Sequence, residues 1–570
     1  MKIFIKKIYI TIFFFTFLLG NSTVLAKDNK IKYSKENISN YFLGIVSIKQ
    51  NHNNEAFKYL NQIRTLKNKH SEYNVEFIRT LISLGKFKKA VDFSQEIWNN
   101  DEIFFEADLL LGLDAFLKED YQKAEKYFER LNRISKYNLF FDNFIGNILI
   151  SWSKAAQNQK DESFKFIEKI PAPFQHLKEI QHIFLQCHFD LDSTKQSFKN
   201  LINSKDYNFS RYNFFLANYL LSRGNKTDAK IIIQNSTKKY NSNLLLQQAN
   251  LFFLNNKVKK IEHLFNCKNP KDSLAEFFYV IANLYSSEDD YRLSNFYLNI
   301  SLLLNEKFTP NRTLLAENFY YQKKYDESKD VYVFIKSIGQ VYYWYASKNI
   351  AIILTDEKGK EYSTKALEKD FNSLTKINPR HYYELANFYK DNEFYKESIN
   401  YYSLALKEID IDNPLAAKIF DRRGTSYERL DDWENAEKDL LKSLEIKPDQ
   451  PHVLNYLAYT WIDKGIHLDE GLEMLKKAVQ LRKNDGYITD SLGWAYYAKK
   501  DYNEANYFLQ KAVELLPSDP IINDHYADSL WMLNKNIQAR YIWKNILKSD
   551  VAEVKLKEKI KKKMIFGITK

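Results

Sequence analysis

The sequence predicts an all-α fold, a right-handed superhelical solenoid of helix–turn–helix units, on three observations. Segments 420–448, 489–517 and 523–546 align with almost no gaps. Each places a small residue where two helices must touch: Gly424, Gly493 and Ala527 in the first helix, Ala436, Ala505 and Ala539 in the second. The same small position recurs at 34-residue steps near the other end of the chain, at Ala56, Ala90 and Ala124. Composition agrees: 570 residues hold only 14 Gly and 10 Pro, while 45% are hydrophobic and 16% aromatic. Few turn residues and ample apolar surface suit helices joined by short turns and exclude a disordered chain.

A 34-residue step is the period of the tetratricopeptide repeat. Each unit packs only on its neighbours, so one array can run the whole length. Residues 1–26 read as a signal peptide: Lys2, Lys6 and Lys7 precede an apolar run from Ile8 to Leu19, then Val24-Leu25-Ala26. The run is shorter than the roughly 20 residues of a membrane span, so membrane contact is expected only if this segment is retained. Cleavage would start the mature chain at Lys27 and lower the formal net charge from +12 to +9. Residues 27–343 form a loosely patterned array, with units near 37–70, 71–104, 105–138, 139–174, 175–209 and 210–243. A shortened unit follows at 244–273, then units at 274–308 and 309–342, with Ser294 and Ser328 at the small position. Residues 344–378 are a degenerate repeat or bend. Residues 379–553 match the pattern closely, in units 379–416, 417–450, 451–485, 486–519 and 520–553, with Pro448 and Pro517 stopping second helices. Residues 554–570 read as a basic capping helix and tail, whose KLKEKIKKK run has a solvated charged face.

Catalytic motifs are missing from the pattern. There is no Gly-rich phosphate loop and no HExxH helix. His176, His182, Cys187 and His188 are spaced by six, five and one, which does not gather them on one helix face. The expectation is a non-enzyme with no metal and no cofactor. Acids and bases are mixed throughout, so nucleic acid is not an expected partner. Cys187 and Cys267 lie 80 residues apart in units that are not neighbours. A disulfide needs Cα atoms within about 7 Å, so two separate buried thiols are expected.

The concave face is the remaining candidate. In tetratricopeptide repeats it is lined by positions 2, 5, 9, 12 and 13 of each first helix, a family property carried over by register. Position 5 is then Asp421, Asn455, Asp490 and Asp524; position 9 includes Tyr459, Trp494 and Asp528; position 12 adds Tyr497 and Trp531. Carboxylates about 10 Å apart repel by only about 0.4 kcal/mol in water, so such a ladder is cheap to keep and open to a basic partner. The competing reading has Asp490 and Asp524 capping helices or pairing with the next unit, and the Trp side chains filling core.

Segments 455–479, 487–520 and 522–547 resemble the C-terminal repeats of large exported tetratricopeptide proteins of Gram-negative bacteria. One such protein is an outer-membrane lipoprotein adaptor for a carboxy-terminal processing protease. The resemblance implies a periplasmic scaffold or adaptor that binds partner proteins, such as an envelope protease or its substrates, through the concave groove. This chain departs from that pattern in having no Cys after the leader to carry a lipid. An envelope or outer-membrane assembly factor without a protease is the alternative. A remoter one is an enzyme with an unrecognised catalytic segment.

Overall fold

A small residue on one helix faces a bulky one on the next, and this crossing recurs along the chain. The structure is a computed structural model that describes residues 34–68, 70–99, 102–134, 144–204 and 208–568. The 1–26 leader and the Lys27 start lie outside the described residues. Among the described residues every regular element is helical, and no helix is long and apolar enough to cross a membrane.

The chain divides into two compact units, one ending at Lys324 and one running from Tyr325. Unit one opens with α1 (Lys35–Lys49), α2 (Asn53–Gln62), α3 (Ser71–Ser83), α4 (Phe87–Ile97), α5 (Phe105–Leu117), α6 (Tyr121–Ile134), α7 (Phe144–Ala156) and α8 (Lys160–Glu168). It continues through α9 (Gln175–His188), α10 (Thr194–Ile202), α11 (Tyr212–Ser222), α12 (Lys226–Lys239), α13 (Leu244–Leu254), α14 (Lys259–Leu264), α15 (Pro270–Ser287), α16 (Tyr291–Leu304) and α17 (Thr309–Tyr321). Unit two opens with α18 (Tyr325–Lys336), α19 (Gln340–Lys358), α20 (Lys360–Asn372), α21 (Pro379–Asp391), α22 (Tyr395–Lys407), α23 (Pro414–Glu428) and α24 (Trp433–Ile446). It closes with α25 (Pro451–Asp463), α26 (Leu468–Leu481), α27 (Gly486–Ala498), α28 (Tyr502–Leu515), α29 (Pro520–Met532), α30 (Asn536–Lys548) and α31 (Val554–Phe566).

The crossing explains the sequence period. Ala56, Ala90, Ala124, Ala229, Ser294, Ser328, Ser398, Ala436, Ala505 and Ala539 are all fully buried. One turn after the small residue stands a bulky one: Leu60, Phe128 and Leu509 follow Ala56, Ala124 and Ala505. Each presses on a glycine of the preceding helix. A Cβ added at Gly44 would sit 2.6 Å from Leu60, at Gly112 2.3 Å from Phe128, and at Gly493 2.6 Å from Leu509. Full burial of each such side chain contributes about 1.5–3 kcal/mol. The turn between paired helices carries a residue with positive φ, as at Asn51, Gly85, Glu119, Asn158, Asp190 and Gly224, and again at Glu393, Asp431, Gly465, Lys500 and Asn534. That left-handed step turns the chain and satisfies the last carbonyls of the first helix. Entry to the next helix is sharpened where a capping side chain precedes proline, as in Asn378-Pro379, Asn413-Pro414 and Asp519-Pro520.

In unit one the first helices α7 and α11 are buried on every side. In α11 all residues from Tyr212 to Leu221 are buried, and in α7 all from Phe144 to Ser153. A helix that is apolar all round needs cover all round, and later helices of the same unit supply it. α3 packs on α16, and α7 and α9 pack on α15. Buried ion pairs join these surfaces: Arg292 of α16 meets Glu76 of α3, and Arg211 meets the fully buried Glu276 of α15. The Tyr212 hydroxyl also donates to Glu276 at 3.1 Å. Burial pushes the Glu276 carboxyl up in pKa, opposed by the Arg211 charge.

The expectation of two separate thiols is overturned. Cys187 and Cys267 form a disulfide with Cα atoms 5.9 Å apart. Packing of α9 on α15 brings non-neighbouring units together, and α14, only six residues long, lets the chain turn back early. Linear spacing carried no trace of this return.

Two outcomes test the packing. Gly493→Val forces two methyl groups into Leu509 and should lower stability by about 2 kcal/mol, read as a fall in the denaturation midpoint of unit two. Opening the 80-residue disulfide loop with reductant, or by Cys187→Ser, should cost about 3–4 kcal/mol. In calorimetry this should lower the unit-one transition and leave that of unit two in place; an unmoved unit-one transition contradicts the bridge.

Candidate functional site

The first helices of unit two lie beside one another and keep one face partly open. α25 packs on α27 and α27 on α29, while Asn455, Tyr456, Tyr459 and Thr460 of α25 remain half-exposed. This contrasts with α7 and α11 of unit one, which are covered on every side.

The acidic positions on this face are tied to the following first helix. Asp421 of α23 is buried and lies 3.1 Å from His452 Nε2 of α25. Asp490 of α27 is buried, with His525 Nδ1 of α29 at 2.9 and 3.1 Å from its two oxygens. Asp524 and Asp528 of α29 share Lys563 of α31, whose ammonium donates at 2.7 and 2.8 Å to the first and at 2.6 Å to both oxygens of the second. Trp543 Nε1 completes the group, donating to Asp524 Oδ1 at 3.0 Å. Lys563 is 8% exposed. The lysine run was read as a solvated face, yet one of its members is the buried counter-ion of two carboxylates. His452, His525 and Lys563 were not singled out by the sequence reading. Lys563 had a signal, since it follows Leu556 and Ile560 along one helical stripe.

The cluster is electrostatically strained towards protons. Burial, then the Asp524 charge, raises the Asp528 pKa from 3.8 to about 6 against the opposing pull of Lys563. Burial pushes His525 down, but Asp490 with Asp524 and Asp528 outweighs it, and the imidazole ends above its ordinary value.

The aromatic positions stack. Trp494 lies on Tyr497 with centroids 4.6 Å apart and on His525 at 4.1 Å, both nearly parallel. Tyr459 is half-buried, and burial aided by Asp463 and Asp490 pushes its phenol up to about 12. Trp531 packs against Trp543 at 5.5 Å with the Arg540 guanidinium 5.2 Å from its ring. Gly567 sits against the indole, where an added Cβ would be 2.2 Å away. Asn455 is different from the rest. Its Oδ1 is buried and has no hydrogen-bond partner within the protein. Among the described residues no cluster of His, Cys, Asp and Glu has metal-binding geometry, and Cys187 of the earlier His/Cys group is committed to its disulfide.

Residues 417–450, which hold α23 and α24, match the family described as Tetratricopeptide repeat. The chain is 31% identical over 99 residues to the TPR repeat-containing protein PA4667 of Pseudomonas aeruginosa, covering 17% of each protein. It is 30% identical over 136 residues to the UDP-N-acetylglucosamine–peptide N-acetylglucosaminyltransferase of Giardia intestinalis, covering 23% of this chain and 9% of that one. The chain thus spans 17% and 9% of these curated relatives. Among solved structures, the APC/C hetero-tetramer Cut9–Hcn1 is 13% identical with a TM-score of 0.31, covering 81% of this chain and 97% of that one. A tetratricopeptide repeat protein from Parabacteroides merdae is 16% identical with a TM-score of 0.33, covering 38% and 85%. With the repeated crossings and the family match, the fold is an all-α solenoid of tetratricopeptide helix–turn–helix pairs.

Lys563→Ala strands two adjacent buried carboxylates and should cost about 3–5 kcal/mol. Because the folded pKa values of Asp528 and His525 are raised, each adds stability that is full below its unfolded value and is lost as pH rises through its folded one. The α27–α31 region should therefore show higher amide protection factors, referred to the intrinsic base-catalysed exchange rate at each pH, at about pH 5 than at about pH 8. The Lys563→Ala deficit should shrink over the same acid range; a deficit equal at both pH values contradicts the assignment.

Proposed function

We propose that this protein is an exported scaffold or adaptor that holds a partner protein segment on the first-helix face of unit two. The observation that carries the reading is the partly exposed aromatic surface of Tyr459, Trp494 and Tyr497 on the half-open face. Tyr459 and the Tyr497–Trp494–His525 stack offer preformed aromatic surface of the kind that anchors interfaces. Asp490, Asp524 and Asp528 are already balanced by His525 and Lys563. Affinity then rests on aromatic contact and hydrogen bonding more than on charge, and salt acts weakly on it.

Export is supported by the leader-like residues 1–26 and by a disulfide, a bond that persists in oxidising compartments. The periplasm is the compartment that the resemblance to Gram-negative envelope proteins favours. The partner class it favours is an envelope protease or its substrates.

The test is capture from envelope extract. Tyr459→Ala should reduce capture about tenfold, because it removes partly exposed aromatic surface. Trp494→Ala should reduce capture more, by about 30-fold for a hot-spot residue. Wild-type capture by both variants at equal melting temperature would move the binding surface elsewhere. A captured set without a protease would favour an envelope assembly role over a protease adaptor.

A further inference from the structure

The outward face of α31 combines exposed lysines with exposed apolar side chains. Its inner stripe, Leu556, Ile560, Lys563 and Met564, packs on α29 and α30 around the Asp524–Asp528–Lys563 cluster. The helix is therefore held rigidly, and its outer face has a fixed direction. That face carries Lys555, Lys561 and Lys562, with Lys559 at its inner edge 4.0 Å from Asp524, all four exposed, against the single acid Glu558. Interleaved with them are Val554 at 75%, Ile565 at 70% and Phe566 at 78% exposure. At 3.6 residues per turn these side chains fan over an arc of about 160°.

We infer that this face docks the end of unit two on an anionic phospholipid bilayer, with Ile565 and Phe566 entering the headgroup layer and the four lysines among the phosphates. Four lysines on one surface reach the number at which basic clusters bind anionic lipid, and aromatic or aliphatic groups beside them supply the second signal that stable peripheral binding needs. Lysine stems lie along apolar surface while their ammonium groups reach the phosphates. A protein groove is a poorer match. Helices that dock in grooves present anchors at i, i+3, i+4 and i+7 along one narrow seam. Here the exposed apolar groups stand at the two ends of the helix, Val554 and Ile565 being about 17 Å apart, with charge between them. A broad, fluid, negatively charged surface meets that pattern without needing a fixed socket.

The experiment is co-sedimentation of the full chain with phosphatidylcholine vesicles, with and without phosphatidylglycerol, at about 0.15 M ionic strength. Binding is expected only to the phosphatidylglycerol vesicles. Combined Lys555→Gln, Lys561→Gln and Lys562→Gln should weaken it about 100-fold. Phe566→Ser, a single exposed change that leaves the charges in place, should weaken it at least tenfold. None of these side chains is buried, so melting should not move. Equal binding to neutral vesicles, or unaltered binding by either variant, overturns the inference. So does a chain that ignores anionic vesicles while capturing an acidic protein segment through the same lysines.

Discussion

The close crossing of paired helices is the constraint on which everything else rests. Glycine at positions such as Gly112 and Gly493 lets a Phe or Leu of the next helix approach to a distance no Cβ would allow. Alanine or serine one turn earlier removes the bulk that would hold the axes apart. The bulky residue then loses all contact with water, and hydrophobic burial replaces the backbone entropy lost in ordering two short helices. Helices of 10–14 residues are marginal alone; here each is stabilised by its partner and by the next pair.

The two units use that crossing to different ends. In unit one α7 and α11 are buried on all sides, α15 packing on α7 and α16 on α3. Buried pairs such as Arg211–Glu276 fit only this closed arrangement, and the Cys187–Cys267 bridge links across it. In unit two α25 buries a narrower stripe, and its polar and aromatic residues stay partly open.

The acids of that face do two jobs at once. Each is buried enough to need a polar partner, and a following helix supplies one: His452, His525 or Lys563. The register between neighbouring pairs is thereby specified by polar pairing as well as by packing. The Tyr497–Trp494–His525 stack lies beside these paired carboxylates.

What the sequence determined by itself is what repeats locally. The 34-residue step, the small positions from Ala56 to Ala539 and the stops at Pro448 and Pro517 all express contacts between neighbours in the chain, so a short window of sequence contains both partners. The same register assigned Asp421, Asp490 and Asp524 to one position of successive first helices, and Trp494 to the position one turn further on. Tertiary structure decided what depends on rotations summed over many pairs. Whether α3 reaches α16, whether Cys187 meets Cys267, and which residue neutralises Asp490 all turn on small angles between successive units, and no local pattern encodes those angles. Lys563 lies between the two cases: its place on the Leu556–Ile560 stripe was legible, but the two carboxylates beneath it belong to another helix, brought there only by folding.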